Sequence, residues 1–134
     1  MFWLTIVRYV GKYRHMENEQ AIFALTALAQ STRLEGFRLL VRQEPHGLAA
    51  GEIARILAVP HNTLSSHLAI LSHAGLITST RHSRTIIYRA NLERFGELAR
   101  YLLKDCCGGR PEICGPLIED LSSCCATKEA ECVD

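Results

Sequence analysis

All six cysteines of the 134-residue chain, Cys106, Cys107, Cys114, Cys124, Cys125 and Cys132, fall in its last 29 residues. They repeat one pattern: Cys106-Cys107 with Cys114, and Cys124-Cys125 with Cys132, both have the form Cys-Cys-x6-Cys, offset by 18 residues. Neighbouring cysteines sit too close along the chain to bridge one another comfortably, yet both can ligate one atom. Soft thiolates select soft acceptors, so a three-thiolate set suits trigonal, thiophilic arsenic(III) or antimony(III). A hard ion such as magnesium would require oxygens. Cys106, Cys107 and Cys114 are therefore the first candidate metal-binding set and Cys124, Cys125 and Cys132 a second. The second set has three open roles: a second arsenic site, ligands lent across a dimer, or a disordered tail. Other chemistries are open to the same thiols. Oxidants or persulfides could join them as disulfides, a methylated trivalent arsenical would need only two of them, and a zinc-holding interaction module is an alternative of another class.

This reading needs reduced thiols. No run approaches the roughly 18 apolar residues of a membrane span. Phe2–Val10 is apolar but short, and it lacks the basic lead-in and small-residue cleavage site of a secretory signal. A cytoplasmic protein with reduced cysteines and no membrane association is expected. Charge divides at the same place as the cysteines. Residues 20–104 hold ten Lys or Arg against five acids, and residues 105–134 hold two against seven. A basic body with an acidic appendix suits a polyanion-binding domain.

The elements that must position these groups follow from periodicity. Ile22, Phe23, Leu25 and Leu28 give a helix over Glu19–Gln30 a broad apolar face. Thr32 and Glu35 have capping-box spacing at the head of a second helix carrying Leu34, Phe37, Leu40 and Val41. Pro45 and Gly47 end it. A short helix over Ala49–Ala58, with Ile53, Ile56 and Leu57, stops at Val59-Pro60. Another follows over His61–Ala74 with Leu64, Leu68 and Leu71 inward, ending at Gly75. Leu76–Thr80 and Thr85–Ala90 read as two strands. Asn91 then caps a last helix striped by Leu92, Phe95, Leu98, Leu102 and Leu103, and Cys106 is expected to continue it. Gly108-Gly109 lets the chain turn, and Pro111 stiffens the return toward Cys114. Residues 1–19 form an extension in which Phe2–Val10 is a turn or two of amphipathic helix, or in which Met16 is the working start. The expected division is an extension over 1–19, a folded domain over 20–105 and a cysteine-rich tail over 106–134.

Two short helices joined by a tight turn and followed by a strand pair form a winged helix-turn-helix. The expected fold is mainly α, about five helices with a two-stranded wing. With Leu64, Leu68 and Leu71 inward, the opposite face of that helix carries His61, Asn62, Ser65, Ser66 and Ala69, with Thr63 at its edge. These are small or hydrogen-bonding side chains able to enter a major groove. Arg81, His82 and Arg84 lie between the strands, within reach of phosphates or a minor groove. His67 adjoins the core face and reads as structural, with a base reader the alternative; Arg33 and Arg55 read as solvated surface, with phosphate contact the alternative. No nucleophile–base pair, phosphate loop or hydrolase motif points to an enzyme.

Leu28-Ala29-Gln30-Ser31-Thr32-Arg33-Leu34, Leu64-Ser65-Ser66-His67-Leu68-Ala69-Ile70-Leu71 and Ala74-Gly75-Leu76-Ile77 together resemble the ArsR/SmtB family of metalloregulatory repressors, over roughly residues 20–104. The resemblance implies a homodimer, paired through its first and last helices, that leaves double-stranded operator DNA when a metal or metalloid binds. The chain departs from that family's best-known sites. The three cysteines of its familiar arsenic sensors correspond to Ala49, Gly51 and Ala54 here. The last helix, without histidine, makes a poor zinc site. The Cys106, Cys107 and Cys114 set resembles a variant arsenic site of the same family, near the end of the last helix. Arsenic(III) as effector, with no organic cofactor, is the resulting expectation.

Overall fold

The computed structural model describes residues 16–104, 108 and 110–126. The expected extension before Met16, and Cys106, Cys107 and Cys132, lie outside the described residues. Six helices and three strands follow in order: α1 (Asn18–Leu28), α2 (Ser31–Arg42), β1 (Leu48–Ala49), α3 (Ala50–Leu57), α4 (His61–His73), β2 (Ile77–His82), β3 (Thr85–Ala90), α5 (Leu92–Leu103) and α6 (Pro111–Ala126). The chain divides into two compact units, one through Tyr101 and one from Leu102. No described helix is long and apolar enough to cross a membrane.

The core of the first unit is built where the periodicity places it. Leu40, Ile53, Leu64, Leu71, Leu76 and Leu98 are fully buried, and Phe37 beneath them packs its ring 5.3 Å from that of Phe95. Among the described residues no polar or charged residue is buried in it. Each such side chain contributes about 1.5–3 kcal/mol by leaving water, so Leu64, Leu68 and Leu71 fix α4 firmly against the core.

Three local expectations are corrected. The sheet has three strands, in the order β1-β3-β2, with Leu48 opposite Tyr88 and Ala49 opposite Ile87. A two-residue strand carries too little alternation to show in sequence. The cap of α2 is Gln30, whose side chain accepts from the Arg33 N–H at 2.9 Å, so α2 starts before the Thr32–Glu35 box could act. A capping box does occur, between Glu17 and Gln20 at the head of α1. Finally, α1 buries Ala21, Ala24 and Ala27 and leaves Ile22 55% and Phe23 53% exposed, with Leu25 also outward. The close approach of α1 to its neighbours selects alanines, and the larger apolar side chains form an outer stripe.

Connections are secured by specific contacts. Gly47 has φ +75°, and a Cβ there would fall 2.5 Å from the Tyr88 carbonyl oxygen, so only glycine lets the chain pass β3. Beside it Arg89 donates to Glu44 through Nε (3.2 Å) and Nη2 (2.6 Å), joining β3 to the end of α2. That hydrogen bond, and then the attraction of the carboxylate, raise the guanidinium pKa above its ordinary value. Asn91 caps α5 as expected, accepting from the Arg94 N–H at 3.1 Å, while its own amide donates to the Gly75 carbonyl at 3.0 Å. One residue thereby holds the start of α5 to the α4–β2 turn.

Within the second unit, α6 is a helix, with Pro116 inside it, where only a turn and a returning segment are expected from sequence. Pro111 occupies its first position, where a missing N–H is harmless. Gly108, at φ +55°, lies just before it. Helix α5 runs to Leu103, and the expected continuation to Cys106 lies outside the described residues.

Candidate nucleic-acid interface and thiol site

Helices α3 and α4 are joined by Ala58-Val59-Pro60. Ala58 takes the left-handed conformation (φ 54°, ψ 46°), and its N–H closes onto the Ala54 and Arg55 carbonyls. Pro60 then precedes α4 in an extended conformation that suits the residue before a helix. The first turn of α4 has no side-chain cap and no acidic residue. Its N–H groups and the positive end of the helix dipole are therefore available to a phosphate.

His61, Asn62, Thr63, Ser65, Ser66 and Ala69 are all exposed, and Leu64, Leu68 and Leu71 are buried beneath them. Sequence and structure agree on this division of α4. The Ser65 hydroxyl donates to the His61 carbonyl at 3.0 Å. Its proton is thus committed, and its lone pairs remain to accept from an exocyclic amino group of a base.

Helix α4 packs on β2, which with β3 forms the wing. His82 pairs with Thr85, so a two-residue turn, Ser83-Arg84, closes the hairpin. Ser83 has φ 60°, the positive value characteristic of the first central position of a type II′ turn. Arg81, His82 and Arg84 are exposed. Strand alternation puts Arg81 and His82 on opposite faces of the ribbon. The three therefore do not act as one cluster: Arg84 occupies the tip, and Arg81 and His82 flank it on different sides.

Several cations of the basic body are engaged internally. Arg89 is paired with Glu44, and Arg94 with Glu97 at 3.3 Å. Arg33 is a larger revision: it is half-buried and hydrogen-bonded to the end of α1 and beside His67, where sequence placed it on solvated surface. His67 is half-buried on the flank of α4, as its adjacency to the core face indicated. Composition identifies how many cations there are; it carries no information about which of them fold back.

Of the candidate thiols, Cys114 is half-buried in the first turn of α6. Cys124 and Cys125 belong to the same helix, ten and eleven positions on. At about 1.5 Å per residue their backbone positions lie roughly 15–17 Å further along the axis. Among the described residues no group of three His, Cys, Asp or Glu is close enough to hold a metal.

Residues 28–80 match the family described as a helix-turn-helix domain. The transcriptional activator HlyU of Vibrio cholerae is 32% identical over 69 residues, covering 52% of this chain and 61% of that protein. The chain thus spans about three-fifths of the length of this curated relative. A solved structure described as a predicted DNA-binding transcriptional regulator from E. coli is 33% identical, with a TM-score of 0.50, covering 60% of this chain and 84% of that one. A homodimeric winged helix-turn-helix DNA-binding domain of Mycobacterium bovis, described as a possible ArsR-family regulator, shares the fold. Its TM-score is 0.53 at 21% identity, covering 84% of this chain and 89% of that one.

Proposed function

The chain belongs to the winged helix-turn-helix transcriptional regulators, with likenesses that support the ArsR family, and we propose that it is a homodimeric repressor released from its operator by trivalent arsenic bound to C-terminal thiols. The observation that carries the effector is the confinement of all six cysteines to the segment after α5, twice in the form Cys-Cys-x6-Cys. The three-thiolate chemistry of Cys106, Cys107 and Cys114 fits arsenite or antimonite. The repeat of the same spacing supports Cys124, Cys125 and Cys132 as a second set.

Homodimerisation is supported by the outer stripe of Ile22, Phe23 and Leu25 on α1 and by exposed Leu92 and Phe95 on α5, the two helices that the family resemblance pairs across a two-fold axis. Two copies present two α4 helices to successive major grooves of a two-fold operator. Ligand binding beyond α5 then changes the angle between them. A coupling of about 1–3 kcal/mol lowers operator affinity about 5- to 150-fold.

The test is a gel-shift titration of the full chain on a duplex selected from a random pool by the protein itself. Arsenite should release the duplex, and peroxide in the presence of excess reductant should not. Retention of the duplex at saturating arsenite, with release by zinc or by reductant-reversible oxidation, would replace arsenic with the other signal.

A further inference from the structure

Arg33 stands where three helices meet. Its Nε donates to the Ala27 carbonyl at 2.6 Å and its Nη2 to the Thr26 carbonyl at 3.5 Å, both in the last turn of α1. Its Nη1 lies 3.3 Å from Nδ1 of His67, on α4. Its own backbone N–H is held by Gln30, the cap of α2. The carbonyls at a helix C-terminus lack intrahelical partners and carry the negative end of the dipole, so a guanidinium fork is well matched to them. Arginine has no acceptor. In this contact Nδ1 of His67 can therefore only accept.

The consequence is a physical link from α1 to the helix that carries His61, Asn62, Ser65 and Ser66. We propose that Arg33 is a positioning residue for DNA binding: it transmits the placement of α1 to α4 through His67 and does not itself touch DNA. This rests on α4 being the helix that reads DNA. His67 lies between Leu64 and Leu68, both anchored in the core. A contact at that point sets the roll of α4 about its own axis, and so the aim of the exposed side chains. Mere neutralisation of phosphate would act differently, because it would be felt equally by every sequence and would appear in the salt dependence.

The test uses the full chain and the pool-selected duplex, with affinity measured across a salt series. Arg33→Met keeps the apolar stem and removes the fork. It should lower affinity about tenfold, within the usual range of intersite coupling, without changing the salt slope. A phosphate contact would instead reduce that slope by about 0.9, and that result would overturn the proposal. His67→Leu should weaken binding to a similar extent, and the double variant should be no weaker than either single one. Losses that simply add would show two independent residues and also overturn it. His67→Asn restores an acceptor near the Nδ1 position and should bind within about twofold of wild type. Should Arg33→Met fail to fold, as judged by circular dichroism, the His67→Leu and His67→Asn pair decides the matter alone. Failure of the wild type to select any duplex would strike the DNA-binding reading itself, a result distinct from any of these.

Discussion

The winged-helix body and the C-terminal helix α6 are stabilised in opposite ways. In the body, buried leucines and isoleucines from four helices and a strand converge, and the side chains proposed to meet DNA are outward because their neighbours are inward. In α6 none of the described residues is buried, and Ile113, Leu117, Ile118 and Leu121 are exposed. The body therefore has a geometry imposed by packing, whereas a helix with no buried face gains little beyond its own marginal propensity. A region of the second kind is cheap to rearrange, which is what a segment carrying an effector site requires if binding is to change its structure.

The largest expected effect that tests this contrast is in the cores. Leu64→Ala should cost about 2–5 kcal/mol in denaturant unfolding. Leu117→Ala in α6 should stay within about 0.5 kcal/mol. A comparable loss at Leu117 would show that α6 is packed in the assembled protein, and the contrast would break. Next is Gly47→Ala, which forces a Cβ against the Tyr88 carbonyl and a strained positive φ. It should lower stability by about 1–3 kcal/mol, visible as a reduced melting temperature. Arg84→Ala, at the wing tip, should leave the melting temperature unchanged while lowering DNA affinity, with a salt slope smaller by about 0.9 for one phosphate contact. The smallest effect is favourable. Ala58→Gly relieves the left-handed conformation in the α3–α4 turn and should stabilise the body by about 1 kcal/mol.

Legibility in the sequence follows the same boundary. The division of α4 into Leu64, Leu68 and Leu71 against His61, Asn62, Ser65 and Ser66 is a matter of helical period, and it is readable without coordinates. So is the Asn91 cap, because its signal is local. What escapes is set by distant partners. Arg33 is 34 residues from His67 in the chain, and Glu44 is 45 from Arg89. Nothing in either local pattern distinguishes a clamped arginine from a solvated one. The alanine face of α1 was missed because period analysis ranks large apolar residues first, and close helix packing reverses that order. In the tail the cysteine pattern was readable as chemistry, but the helix containing Cys114 was not, since Pro111 and Pro116 both discourage assigning one.

The central claim is that thiols after α5 control the DNA affinity of the body. Its most direct test is fluorescence anisotropy on the pool-selected duplex, titrating arsenite into complexes of wild type and of the Cys106→Ser/Cys107→Ser variant under reducing conditions. Both proteins should bind the duplex equally in the absence of arsenite. Wild type should then be released, its affinity falling by about 5-fold or more, while the variant stays bound. Equal release of both proteins, or of neither, would contradict the account.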